Sequence, residues 1–117
     1  MASILFIEDE EALRGLIGES LADIGHEVAI AAYGREAIQL LANGTFDVVI
    51  SDVSMPGDIS GVDLAELIEE RYPHIRVILV SGHARAQLPP IPPAARFLPK
   101  PYRLAQLIEL LQEAPKA

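Results

Sequence analysis

Cysteine is missing from this chain of 117 residues, and long apolar runs are missing as well. Without cysteine the chain has neither disulfides nor a thiol nucleophile, which is typical of a protein in a reducing cytoplasm. No run approaches the roughly 18 apolar residues of a membrane helix. The apolar stretch ILFI near the N-terminus is also too short for a secretory signal. We therefore expect a cytoplasmic protein with no membrane insertion.

Basic residues are few. The chain has 9 Lys and Arg residues against 17 Asp and Glu residues, so its formal net charge is −8. An acidic chain without a basic patch is a poor candidate for binding nucleic acid by itself. Its length is close to the commonest size of a single domain, so we expect one compact core.

Short apolar runs alternate with amphipathic segments along the chain. The runs predict strands at residues 3–8, 26–31, 46–51, 75–81 and 96–99. The apolar spacing predicts helices at residues 10–24, 35–43, 60–71 and 102–113, the third of them capped by Ser60. Four prolines before the last strand leave space for little more than one helical turn. This order predicts an α/β protein whose parallel sheet is covered on both faces, with a shortened or irregular fourth helix.

Polar side chains lie where four of these strands end. They are Glu8 and Asp9 at the first, Asp52 at the third, Ser81 at the fourth and Lys100 at the fifth. In an open parallel sheet, ligands bind outside the carboxyl ends of the strands. We therefore expect these five groups to lie at one edge of the sheet.

Each of these residues also has a simpler structural explanation. Acids at positions 8–11 suit a helix N-terminus, and Asp52 precedes the common turn formers Pro56 and Gly57. Ser81 before a glycine is typical of a turn, and most lysines lie on the surface. The coincidence of all five at one edge favours a common site.

The expected edge carries an excess of negative charge. Two carboxylates about 4 Å apart repel by roughly 4 kcal/mol at an effective dielectric near 20. Three carboxylates with one ammonium therefore require either protonation or a divalent cation. Mg²⁺ fits this set, because it prefers a few carboxylate oxygens and often completes its shell with a phosphate oxygen. An ionised Asp52 could then act as a nucleophile.

Four sequence blocks resemble the receiver domain of two-component response regulators. The blocks are ILFIEDE, DVVISDVSMPG, VILVSGHA and FLPKPY, and their order and spacing match over essentially the whole chain. The resemblance implies a doubly wound, flavodoxin-like (βα)5 fold with a five-stranded parallel sheet. It also predicts that residues 1–117 form one receiver domain with no output domain, like a chemotaxis-type single-domain regulator or a hybrid-kinase receiver.

The resemblance assigns a role to each residue of the expected site. Asp52 would accept a phosphoryl group from a phosphohistidine of a sensor histidine kinase or a histidine phosphotransfer protein. The Mg²⁺ ligands would be Glu8, Asp9, Asp52 and the backbone carbonyl of Ser54. Lys100 and Ser81 would contact the phosphoryl oxygens, and Ser81 and Phe97 would form the switch that changes binding to a downstream protein.

Other residues flank the expected site. They are Ser54, Gly82, His83 and Pro101, and the Lys100–Pro101 peptide would be cis. The chain departs from the usual family pattern at several places, among them Glu8 in place of Asp, Phe97 in place of Tyr, and LPPIPP in place of much of the fourth helix. Many relatives use that helix for dimers or targets, so we expect only a monomer or a weak dimer.

Two other functions compete with this interpretation. One is a Mg²⁺-dependent phosphatase with an aspartyl nucleophile, although such enzymes usually have a second acid where this chain has Ser54. The other is a receiver-like or nucleotide-binding module that is not phosphorylated, although no glycine-rich phosphate loop is present. On the receiver hypothesis the protein is not an enzyme, beyond catalysing its own phosphorylation and dephosphorylation.

Overall fold

The computed structural model describes residues 2–113. Its five strands are β1 (Ser3–Ile7), β2 (Glu27–Ala31), β3 (Val48–Asp52), β4 (Arg76–Ser81) and β5 (Arg96–Pro99). Its helices are α1 (Glu11–Asp23), α2 (Gly34–Asn43), α3 (Gly61–Arg71) and α4 (Leu104–Leu111). A single 3-10 turn at Arg85–Gln87 is the only helical structure described between β4 and β5, as the four prolines predicted.

The strands form one parallel sheet in the order β2-β1-β3-β4-β5. Apolar side chains alternate between its two faces. Leu5 and Val49 belong to the core beneath α2 and α3, whereas Phe6 and Ile50 belong to the core beneath α1 and α4. Because both faces are covered, the strands are continuous apolar runs. The strand order reverses between β1 and β3: the chain first adds β2 on one side of β1 and then adds β3, β4 and β5 on the other. A ligand crevice is expected at this switch point.

The predicted boundaries differ from the observed ones by up to two residues. The largest difference that affects the site concerns Asp52, which was predicted to follow the third strand and instead is its last residue, paired with Val80 of β4. The third strand also begins at Val48 rather than at residue 46, and Asp47 just before it binds the backbone of Ser3. Helix α4 begins at Leu104, with Arg103 as its cap.

Ser60 caps helix α3, as predicted. Its hydroxyl accepts a hydrogen bond from the Asp63 N–H at 3.1 Å, and the Asp63 carboxylate accepts one from the Ser60 N–H at 3.0 Å. This reciprocal pair satisfies two backbone donors that the first helical turn leaves free. It therefore fixes the start of α3 at Gly61, nine residues after Asp52.

We expect Ser60→Ala to lower the free energy of unfolding by about 1 kcal/mol, because the Asp63 N–H loses its partner. Urea denaturation measures the change. Ser20→Ala is the matched control, since the Ser20 hydroxyl only donates to Leu16 O within α1. That variant should be equally stable or slightly more stable, because alanine is the better helix former. Equal losses in both variants would contradict the capping role.

In residues 2–113, no helix is long and apolar enough to cross a membrane.

Candidate functional site

The carboxyl ends of the strands bring the predicted polar residues together. Glu8 follows β1, Asp52 ends β3, Ser81 ends β4 and Lys100 follows β5. Glu8, Asp52 and Ser81 are buried, with 1%, 4% and 4% of their surface exposed, whereas Asp9 is exposed. Buried carboxylates at the end of an otherwise apolar sheet need compensating partners.

Lys100 supplies one such partner. Its ammonium Nζ lies 2.9 Å from Glu8 Oε1 and 2.7 Å from Asp52 Oδ1. The peptide bond between Lys100 and Pro101 is cis, as the resemblance implied. The backbone N–H of Lys100 also donates to the Ser81 carbonyl at 2.8 Å. This bond joins the residue after β5 to the last residue of β4.

The acidic cluster, defined as Glu8, Asp9 and Asp52, offers three carboxylate oxygens that all lie within 4.8 Å of one another. Of the two Asp52 oxygens, Oδ1 binds Lys100, and Oδ2 is buried without a hydrogen-bond partner in the described part of the chain. An unsatisfied buried carboxylate oxygen is costly. The acidic cluster therefore fits a hard divalent cation such as Mg²⁺, which would bind these oxygens and offset their charge.

The two buried carboxyls differ in their affinity for a proton. Burial and the nearby Glu8 raise the pKa of Asp52 to about 7, although Lys100 opposes the rise. Burial also acts to raise the pKa of Glu8, but the neighbouring Asp52 carboxyl and the bonds from the Glu10 N–H and Lys100 outweigh it and hold that pKa below its ordinary value. Glu8 therefore keeps its charge, and a proton on Asp52 relieves the repulsion until a cation replaces it.

Burial acts to lower the pKa of Lys100, but the two carboxylates outweigh it and raise that pKa well above its ordinary value. The lysine is therefore a permanent cation in this site.

Helix α1 holds Glu8 in place through contacts that the sequence did not predict. The Glu10 N–H donates to Glu8 Oε2, and Arg14 Nη1 donates to the Glu8 carbonyl, each at 3.0 Å. With Lys100 on Oε1, both carboxylate oxygens and the backbone oxygen of Glu8 have partners. An arginine six residues after an acid carries no signal of its own, so only the fold reveals this contact.

Gly61 lies directly against the backbone of Asp52. Its N–H donates to the Val53 carbonyl at 2.7 Å. A Cβ atom at position 61 would overlap the Asp52 carbonyl oxygen and lie 2.8 Å from both the Asp52 carbonyl carbon and Val53 Cα. Only glycine allows the first turn of α3 to approach β3 this closely.

The remaining predicted residues surround this centre. The Ser81 hydroxyl accepts a hydrogen bond from the His83 N–H at 3.0 Å, and Phe97 is half-buried against the core beneath α2 and α3. Ser54 and His83 line an open cavity on one side of the site. Gly82 and Pro101 line a second cavity on the α1 side, together with Tyr102.

Tyr102 is a feature that the sequence analysis missed. Its hydroxyl is buried without a hydrogen-bond partner in the described part of the chain. Burial and the nearby Glu8 carboxylate raise the pKa of Tyr102 to about 12, against the opposing effect of Lys100, so the phenol stays neutral.

Known proteins share this fold and these motifs. The sequence model of the response regulator receiver domain matches residues 4–112. The response regulator FleR of Pseudomonas aeruginosa is 37% identical over 113 residues, which are 94% of this chain and 24% of FleR. The chain therefore spans about a quarter of the length of such curated relatives.

Solved structures agree with this match. The response regulator TrrA from Thermotoga maritima in complex with Mg²⁺-BeF has a TM-score of 0.84 and 32% identity, covering 96% of this chain and 97% of TrrA. TrrA in complex with the histidine kinase ThkA has a TM-score of 0.84 and 31% identity over the same shares. The receiver domain of the hybrid histidine kinase CckA has a TM-score of 0.79 and 36% identity, covering 94% of this chain and 95% of that one.

These similarities confirm the predicted doubly wound receiver fold, with a 3-10 turn in place of its fourth helix. The acidic cluster lies where a phosphoacceptor site that binds Mg²⁺ is expected. The family match, the sheet order and this site lead to one conclusion: the chain belongs to the response regulator receiver domain family.

Proposed function

We propose that Asp52 accepts a phosphoryl group from a phosphohistidine of a histidine kinase or a histidine phosphotransfer protein. The observation that carries this proposal is the state of the two Asp52 oxygens. Oδ1 is held by Lys100, whereas Oδ2 is buried without a partner in the described residues. An oxygen without a partner can either bind a metal ion or act as a nucleophile.

The reaction exchanges one bond to phosphorus for another. The Asp52 carboxylate attacks the phosphorus atom and a P–O bond forms. The P–N bond to the donor imidazole breaks and leaves its electron pair on that nitrogen, while a proton on the other ring nitrogen makes the leaving imidazole neutral. The chain itself mainly aligns the groups and neutralises charge. Lys100 remains a cation beside the incoming phosphoryl oxygens. The product is an acyl phosphate on Asp52 and a free histidine on the donor.

Glu8, Asp9, Asp52 and the backbone carbonyl of Ser54 would hold Mg²⁺ in this site. The bound ion would supply charge that offsets the carboxylates and the phosphoryl oxygens. The acidic cluster in this chain and the Mg²⁺-BeF complex of TrrA support this assignment.

Ser81 and Phe97 form the proposed switch. The Ser81 hydroxyl already accepts a hydrogen bond from the His83 N–H, which leaves its own proton free to be donated to a phosphoryl oxygen. As Ser81 moves toward that oxygen, the half-buried Phe97 would swing inward. The acyl phosphate thereby favours a second packing of the domain through contacts that the unmodified state lacks.

The wider context of the domain is also a proposal. The complex of TrrA with ThkA supports a histidine kinase as the partner. Receiver domains are phosphoacceptors without a separate catalytic activity, and we propose that this one catalyses only its own phosphorylation and dephosphorylation. A cytoplasmic location, a monomer or weak dimer, and one receiver domain over residues 1–117 without an output domain stay predictions. A downstream protein would read the switched state.

Incubation with acetyl phosphate and Mg²⁺, followed by intact mass spectrometry, tests the proposed function. We expect one added phosphoryl group, which is lost in Asp52→Asn and when the metal is chelated. Asp58→Asn is the matched control, because Asp58 lies in the same loop and pairs with Arg35 on the surface. That variant should still gain the group. Repeated turnover of acetyl phosphate without a stable adduct on the protein would instead favour the phosphatase.

A further inference from the structure

A cavity of about 480 Å³ opens beside the phosphoacceptor site. It lies between the loop that follows β3 and the segment that follows β4. That segment contains only the three-residue 3-10 turn Arg85–Gln87, because its prolines cannot continue a helix. This segment and the loop after β3 border an open groove.

The groove has an apolar floor and an acidic rim. We call its apolar lining residues, Val53, Met55, Leu88 and Pro89, the floor, and its two acidic lining residues, Asp58 and Asp63, the rim. No lysine or arginine is among the lining residues in the described part of the chain. Asp58 forms an ion pair with Arg35, which lies outside the groove and offsets part of the Asp58 charge, and Asp63 accepts the Ser60 N–H, so each carboxylate is held in position by a partner. An apolar site with a few fixed charges is typical of a binding groove.

We propose that this groove binds a peptide segment of a partner protein that presents one Lys or Arg side chain between apolar side chains. The apolar side chains would cover the floor, and the cation would lie at the acidic rim. The choice of a basic segment rests on charge complementarity, since the whole chain carries a net charge of −8 and would attract a cationic partner.

The groove borders the phosphoacceptor site. Ser54, two residues after Asp52, lines it from one side, and His83 lines it from the other. The His83 N–H donates to the Ser81 hydroxyl, so a segment bound in the groove would contact both loops that border Asp52. The proposal does not require Asp52 to be phosphorylated. Binding to the unmodified protein therefore tests it independently of the proposed function.

The test is a nuclear magnetic resonance titration of the ¹⁵N-labelled, unmodified chain with a synthetic Leu-Lys-Phe peptide blocked at both ends. We expect saturable shifts of the amides of Val53, Ser54 and Leu88. The same peptide with Glu in place of Lys should bind about tenfold more weakly, because an ion pair is replaced by a repulsion. Equal binding of the two peptides, or shifts confined to another face, would overturn the proposal. So would amide shifts at the groove that depend on protein concentration alone, because they would indicate a second copy of the chain.

Two variants separate the charge of the rim from the local ion pair. Asp58→Lys reverses one rim charge and should weaken binding of the Lys peptide by about tenfold. Arg35→Ala removes the same ion pair but leaves the rim acidic, so it should bind the peptide at least as tightly as the wild type. Equal weakening in both variants would mean that the ion pair shapes the loop, and it would overturn the assigned role of the rim.

Discussion

Replacing Gly61 with alanine should lower the free energy of unfolding by about 3 kcal/mol, at the upper end of the usual cost of overpacking. The added methyl group would overlap the Asp52 carbonyl oxygen and come within 2.8 Å of Val53 Cα. These are backbone atoms of the last residue of a central strand and of the residue after it, so no flexible side chain can move aside. Either α3 or the end of β3 must shift, and Asp52 shifts with β3.

The same change elsewhere in the chain provides the control. Gly15 lies inside helix α1, and a Cβ atom built there meets no atom within 4 Å. Gly15→Ala should therefore raise the free energy of unfolding by up to about 1 kcal/mol, because alanine is the better helix former. Urea denaturation of both variants measures the contrast. A Gly61→Ala protein within about 0.5 kcal/mol of the wild type would show that the contact relaxes at little cost.

A second readout connects Gly61 to the phosphoacceptor. The Asp52 side chain meets Lys100 at 2.7 Å, and a shift of the strand end would lengthen that contact. Phosphorylation of Gly61→Ala by acetyl phosphate should therefore be slower than in the wild type at temperatures where the variant is fully folded. A wild-type rate in the folded variant would limit the role of Gly61 to stability.

The sequence predicts the sheet and the position of its site because both depend on local patterns. Continuous apolar runs such as residues 3–7 indicate buried parallel strands, and the polar residues that follow must then gather at the carboxyl edge. The cap at Ser60 is also a local signal, since its partner Asp63 is three residues away. These features need no knowledge of long-range packing.

Contacts between distant segments could not be predicted in this way. The approach of Gly61 to Asp52 depends on how α3 crosses β3, and a glycine in the first turn of a helix does not by itself indicate such a contact. The contact of Arg14 with the Glu8 carbonyl depends on the turn between β1 and α1. The different proton affinities of Glu8 and Asp52 depend on burial and on which oxygen each neighbour reaches, and sequence spacing does not fix either.

The groove beside the phosphoacceptor site is another feature that the sequence does not predict. The prolines at positions 89, 90, 92 and 93 predict a shortened or irregular helix. They do not predict which residues line the groove beside it. Met55 and Leu88 come from different loops, and only the folded chain places them on one floor.

Replacing Lys100 with methionine should destabilise the metal-free protein by about 3 kcal/mol at about pH 8, because two buried carboxylates lose their shared cation. The value lies at the low end for buried pairs, since the Lys100 side chain is 26% exposed. Glu8 and Asp52 are then left as neighbouring anions. Urea denaturation in the presence of a chelator measures the loss.

The loss should depend on pH. The pKa of Asp52 is raised to about 7 in the folded protein, above its value in the unfolded chain, so the folded state binds the extra proton. A group of this kind stabilises the fold at low pH, and that contribution is lost as pH rises through the folded pKa. Lys100 opposes the rise in the pKa of Asp52, so that pKa should be higher still in Lys100→Met. At about pH 5.5 Asp52 is neutral in both proteins, and their free energies of unfolding should therefore differ much less than at about pH 8.

Arg35→Met is the matched control for this experiment. It also removes a cation from an Asp partner, but Arg35 and Asp58 are 68% and 64% exposed and are screened by solvent. We expect little change in its stability at either pH. Added Mg²⁺ should restore part of the stability of Lys100→Met at about pH 8, because a cation in the acidic cluster offsets the same two carboxylates. A loss in Lys100→Met that is the same at both pH values and unaffected by Mg²⁺ would mean that the lysine contributes packing alone, and that the site tolerates its anions without the lysine's charge.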